Sequence, residues 1–197
     1  MDISLDLSET GAANPSEMDL FMEPKNKLSD RLKRFTSPER LDNQGFRCGK
    51  CTHAAGSMKQ FSIKVAPCVL SIHLKRFEHT QTASHKIDTF VEFPAKLDLA
   101  PFLSSSMNAE VDDILKEPSE PKASQNYELF AVINHVGTLE TGHYISYVNS
   151  KGEWFRVDDS MITRSSAHEV LGCKAYMLYY VKSHLDYIVD PNPMGAN

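Results

Sequence analysis

"TGHYISYVNSKGEWFRVDDS" occupies residues 141–160. Residues 143–149 and 153–158 read as two strands, with Asn149 and Gly152 as the turn residues between them. A regular hairpin with an even loop would set Val148 opposite Glu153 and His143 opposite Asp158. Directly opposed Cβ atoms lie about 4.5–5.5 Å apart, within reach of an imidazole–carboxylate hydrogen bond. Such a bond fixes the ring tautomer and leaves the second nitrogen free to act as a base. Period two sends Asp159 to the other face, so Asp158 is the expected orienter, and a bulge would reverse that choice. The same spacing also suits an inert His–Asp pair on a surface hairpin. A third reading joins His135, His143 and Asp158 as a metal site. Spacing alone leaves all three open.

Outward from the hairpin, strands are expected near 127–135 and 174–182, with a short helix near 166–171. Upstream, Phe61/Ile63/Val65, Leu70/Ile72/Leu74 and the run from Phe90 to Phe93 predict three more strands, and 77–86 reads as a polar connector. "LSDRLKRF" (28–35) places Leu28, Leu32 and Phe35 on one helical face with Ser29 or Asp30 as cap, and "SPERL" (37–41) gives a second helix-start signal. Ile3, Leu5 and Leu7 alternate with polar residues as in a half-buried strand. That strand is either a short N-terminal edge or the sign of a domain entered partway. Residues 104–126 have the composition of a solvated insertion. The expected class is α+β, dominated by antiparallel sheet.

Composition narrows the function classes. The 197 residues are 41% hydrophobic, enough to fill one sizeable core, and the net charge of −5 argues against a nucleic-acid surface. "MDISLDLSET" has three acids and no basic run before an apolar stretch, unlike a secretory signal. The longest apolar stretches are about half the roughly 20 residues a bilayer requires, so neither a membrane span nor a membrane partner is expected. Four cysteines are too few for a disulfide scaffold, and Cys48 and Cys51, spaced C-x2-C, read as a metal knuckle.

"YELFAVINHVGTLETGHYISYVNSKGEWFRVDDSMIT" (127–163) resembles the histidine box of the ubiquitin-specific proteases, the cysteine-dependent deubiquitinases. "VLSIHLKRF" (69–77), "IDTFVEFPAKLDL" (87–99) and "AYMLYY" (175–180) are similar to that family's other boxes, in the same order. Within the family, "RCGKC", "LKRFEH" and "FAVINHVGTLETGHY" look most like the deubiquitinating subunit of the SAGA coactivator complex. The resemblance implies a cysteine-proteinase-like fold over residues 1–185, mostly palm and fingers with the thumb largely absent. Fingers and palm with half a zinc knuckle would span 1–99, the insertion 100–126, the histidine-box palm 127–182 and a tail 183–197. It implies ubiquitin or a ubiquitinated protein such as a histone as partner, SAGA-type subunits as further partners, and a nuclear or cytoplasmic location with the nucleus favoured.

Carried over residue by residue, the resemblance makes His143 the general base, Asp158 its orienter and Asp159 an assistant. Residues 135–141, with His135 and Gly137, resemble a loop over the ubiquitin tail, and 78–86 resembles its partner loop. Gly142 would let a substrate backbone pass close to His143. Trp154 would support the histidine strand or simply pack.

The family's nucleophilic cysteine lies in an N-terminal box that nothing in these 197 residues matches. Cys48 and Cys51 belong to the knuckle, Cys68 sits in the apolar "VAPCVLSI" and is expected to be buried, and Cys173 precedes a strand. The expectation is therefore a chain without its nucleophile and without hydrolysis of its own, or a non-catalytic ubiquitin- or partner-binding fragment. Family members hold zinc with four thiolates, and Cys48 and Cys51 supply two, so weak zinc retention is expected.

Overall fold

The computed structural model describes residues 1–7, 26–40, 58–79, 84–107 and 125–184. In chain order these form β1 (Asp2–Asp6), α1 (Leu28–Thr36), β2 (Glu39–Arg40), β3 (Met58–Lys59), β4 (Val69–Lys75), β5 (Phe77–His79), β6 (Ser84–Lys86) and β7 (Lys96–Asp98). A 3-10 turn over Ala100–Phe102 and α2 (Ser104–Met107) follow. Then come β8 (Asn126–Gly137), β9 (Gly142–Ser150), β10 (Glu153–Asp158), β11 (Met161–Ser165), α3 (Ala167–Leu171) and β12 (Ala175–Lys182).

One large sheet runs β1–β4–β12–β8–β9–β10–β11, with β7 also paired to β8. The strands pair antiparallel except β1 on β4, which is parallel. The alternation in each strand sets which face is buried. Ile3, Ile72, Leu178, Val132 and Tyr147 make one row across five strands, and all five are buried. Period two puts such a row on one face, where it becomes the floor of the core. Helix α1 packs Leu28 and Leu32, one turn apart and fully buried, into the same core.

Ser29 and Asp30 lie inside α1, and its N-cap is Lys27, without a side-chain cap. The Leu28 N–H instead donates to Glu92 O at 2.8 Å, so a neighbouring segment does the capping. Residues 37–41 do not start a helix. Pro38 forces Ser37 into an extended conformation, α1 stops there, and Glu39–Arg40 pair with β3. The alternation at 61–65 is not a strand: Phe61 leaves it to stack on Phe35 at 5.2 Å, Val65 is exposed, and Ile63 alone makes a bridge, to Leu103. Val91 and Phe93 are buried, but their segment makes a single bridge to Lys27 rather than a ladder. The connector 77–86 contains the hairpin β5–β6. The insertion begins as packed structure, with Phe102 and Leu103 buried, and residues 108–124 lie outside the described residues.

One buried cation joins the elements near the candidate site. Arg76, 1% exposed, donates through Nε to Ala175 O (2.7 Å) and through Nη1 to Ile87 O (2.9 Å) and Thr89 O (2.8 Å). Burial lowers its pKa, and the three carbonyls tie the end of β4 to the start of β12 and to 87–89. Among the described residues, no helix is long and apolar enough to cross a membrane.

Candidate acid–base site

The β9–β10 hairpin closes on two residues. Lys151 and Gly152 both have positive φ (53° and 85°), the type I′ geometry that suits the strand twist, and Asn149 Oδ1 accepts the Gly152 N–H at 3.1 Å. The expected turn was two residues longer, so each pairing moves by two: Glu153 faces Ser150 and Phe155 faces Val148. His143 and Asp158 are therefore not directly opposed. A shift of two keeps side chains on the same face, which leaves them as diagonal neighbours. Diagonal positions, about 7–8 Å apart at the backbone, stay within reach of long side chains. The two side chains meet, with His143 Nε2 2.5 Å from Asp158 Oδ1.

Arg156 completes the arrangement. Two residues before Asp158 on the same face, it donates through Nη2 to Asp158 Oδ2 at 2.6 Å. The carboxylate is thus held at both oxygens, one by imidazole and one by guanidinium. The hydrogen bond to Asp158 is the main cause that raises the His143 pKa, with the Asp158 charge behind it. The same bond, helped by Arg156, lowers the Asp158 pKa against a smaller opposing effect of desolvation. With Nε2 engaged, Nδ1 is the ring nitrogen left for proton transfer. Sequence reading missed Arg156, although the R-x-D spacing on a strand was its signal.

Asp159 is not on the opposite face of a strand, because β10 ends at Asp158. It opens the turn to β11 at φ 50°, a left-handed position that aspartate tolerates. Its carboxylate, that of Asp158 and the His143 ring offer ligand atoms within 4.8 Å of one another. The metal reading with His135 fails. His135 pairs with Tyr144 and Val136 pairs with His143, so the two histidines lie on opposite faces.

His135 is 7% exposed and packs among Phe77 (5.3 Å between ring centroids), Tyr144 (4.8 Å) and Tyr176 (6.5 Å). Burial, and then the nearby Lys86 charge, lower its pKa. A Cβ on Gly142 would lie 1.8 Å from His135 Nε2, so this imidazole fills the space that the sequence reading gave to a substrate backbone. Gly137, at φ 104°, starts the tight turn to β9, where a Cβ would meet Thr141 O at 2.4 Å. This turn and the β5–β6 hairpin enclose a groove of about 450 Å³ lined by Ser84, His85, Lys86, Asp88 and Gly137–Glu140. Trp154 faces Asn149 at the turn end of its hairpin, away from His143, and packs on the core.

Cys68 is exposed just before β4, because the buried set of that strand begins at Leu70; the expected burial is not found. Cys173 is half-buried, and desolvation pushes its thiol up to about 11. Among the described residues, neither thiol is hydrogen-bonded to His143. Cys48 and Cys51 lie outside the described residues.

Residues 25–180 match the family described as ubiquitin carboxyl-terminal hydrolase. Ubiquitin carboxyl-terminal hydrolase 22-A of Xenopus laevis is 43% identical over 163 residues, covering 81% of this chain and 31% of the relative. Ubiquitin carboxyl-terminal hydrolase nonstop of Drosophila melanogaster is 40% identical over 188 residues, covering 94% and 34%. The fold superimposes with a TM-score of 0.69 on the SAGA deubiquitinating module of Ubp8, Sgf11, Sus1 and Sgf73 bound to ubiquitin aldehyde. There the identity is 32%, over 94% of this chain and 36% of the matched one. The chain thus spans about a third of the length of the relatives it matches. With its mixed, mostly antiparallel sheet, it belongs to the ubiquitin carboxyl-terminal hydrolase family and is a ubiquitin-specific protease homologue close to the SAGA subgroup.

Proposed function

We propose that the chain carries the proton-handling half of a thiol-dependent deubiquitinase. The observation that carries this reading is the His143 Nε2–Asp158 Oδ1 contact, with Arg156 on the second carboxylate oxygen. In the reaction, a thiolate attacks the isopeptide carbonyl after the ubiquitin C-terminus, and the leaving amine takes a proton. His143 accepts the thiol proton at Nδ1 and returns it to the amine. Asp158 holds Nε2 and stabilises the imidazolium, and Arg156 keeps the carboxylate in place. Asp159 adds negative charge beside the ring.

The 197-residue polypeptide on its own is expected to be inactive. A thiol raised to about 11, as at Cys173, supplies almost no thiolate at neutral pH, and Cys68 makes no hydrogen bond to His143 among the described residues. Cys48 and Cys51 remain the proposed knuckle. Two thiolates are half of what a closed structural zinc site takes, so the donor set does not fit and no step is routed through zinc.

The groove between the β5–β6 hairpin and the 137–142 turn favours the second reading, a non-catalytic ubiquitin-binding fragment. The relatives' complexes with ubiquitin and SAGA subunits support ubiquitin and SAGA-type subunits as partners. A histone substrate and a nuclear location follow from the resemblance alone. Titration with isotope-labelled protein and unlabelled ubiquitin tests recognition. Saturable shifts at residues 84–88 and 137–143 are expected, and no shift at any ubiquitin concentration contradicts it.

A further inference from the structure

Phe77 and Lys86 are cross-strand partners in the β5–β6 hairpin, and together they grip His135. Phe77 meets the imidazole edge to face. Lys86 Nζ donates to His135 O and to Gly137 O, each at 2.9 Å, and pairs with Asp88 Oδ1 at 3.3 Å. An ammonium has three donors, and these three acceptors can use them all. The Lys86 side chain is only 9% exposed, unusual for lysine, and such burial is tolerated when the charge is fully satisfied. The path continues beyond the lysine. His135 fills the side-chain space of Gly142, and Gly142 is covalently joined to His143.

We propose that Lys86 is a positioning residue that latches the β5–β6 hairpin to the β8–β9 turn and so sets where His143 meets Asp158. The inference rests on the reading of His143 as the proton carrier. Both carbonyls that Lys86 binds belong to the last three residues of β8, where the ladder ends at the Gly137–Gly142 pair. Without the ammonium this end of the sheet is held by the turn's own contacts, chiefly the Thr138 N–H to Thr141 O bond at 2.8 Å. A strand end tied so lightly opens readily. A segment that binds at the groove would reach the histidine through this lysine.

The test compares the 197-residue protein with Lys86→Met, which keeps the aliphatic stem and removes the donors. Three quantities are read: the His143 titration by NMR, amide exchange at Thr138 and Gly142, and the thermal midpoint. Lys86→Met is expected to lower the His143 pKa towards that of Asp158→Asn and to speed exchange at Thr138 and Gly142 by about tenfold. A lower midpoint with both local readouts unchanged overturns the proposal, because Lys86 is then only a structural staple. If Asp158→Asn leaves the His143 titration unmoved while Lys86→Met still speeds exchange, the dyad reading fails and the latch stands. Should Lys86→Met not fold, Lys86→Arg takes its place. It keeps the charge, but its longer, planar head cannot take the ammonium's place between both carbonyls and Asp88 without displacing them, so smaller changes in the same directions are expected, and wild-type behaviour overturns the latch.

Discussion

Gly142→Ala is expected to destabilise the protein by about 3 kcal/mol, the upper part of the range for overpacking a filled site. The added methyl would sit 1.8 Å from His135 Nε2 and 2.4 Å from Cε1. Gly142 is not among the glycines with positive φ, so alanine meets no backbone penalty there and the effect isolates the collision. His135 has little room to retreat among Phe77, Tyr144 and Tyr176. The check is a double-mutant cycle by chemical denaturation. Once His135→Ala removes the ring, Gly142→Ala should cost at least about 1 kcal/mol less. Strict additivity would show that the glycine answers to something other than His135.

Asp158→Asn is expected to return the His143 pKa to about its ordinary value of 6.5, from the raised value in the wild type. An amide cannot supply the charge that favours imidazolium. The linked stability has a definite sign. A raised histidine pKa contributes stability that is complete below 6.5 and is lost as pH rises through the raised value. The lowered Asp158 pKa contributes stability present above 3.8 and lost as pH falls through the depressed value. The ion pair is therefore complete between about 4 and 6.5, and its loss at either end should vanish in Asp158→Asn. A pH titration of the His143 ring signals, with thermal unfolding at matched pH, reads both effects. An unchanged His143 pKa in the variant contradicts the pairing.

The pairing was legible in sequence because parity survives an error of register. The loop was two residues shorter than expected, yet His143 and Asp158 stayed on one face and still met, as diagonal neighbours. What alternation cannot report is whether a segment joins a ladder. Ile63, Val91 and Phe93 are buried as expected, but their segments make only single bridges, Ile63 to Leu103 and Glu92 to Lys27. Strand β11 stayed hidden for the opposite reason. As the last strand in the sheet order it leaves Met161 and Ile162 largely exposed, so no burial pattern marks it. Lys86 and His135 were equally unreadable in their structural roles. Their partners come from a hairpin and a strand 49 residues apart in the chain, and no local spacing encodes that contact.

Incubation of the pure 197-residue protein with a ubiquitin C-terminal fluorophore conjugate reads whether the chain holds a working nucleophile. The absence of any turnover above that of His143→Ala is predicted, since a base and its carboxylate do not cleave an acyl bond without a thiolate to attack it. Release of fluorophore that disappears when His143 is replaced would contradict the account, because one of the chain's own cysteines would then be the nucleophile.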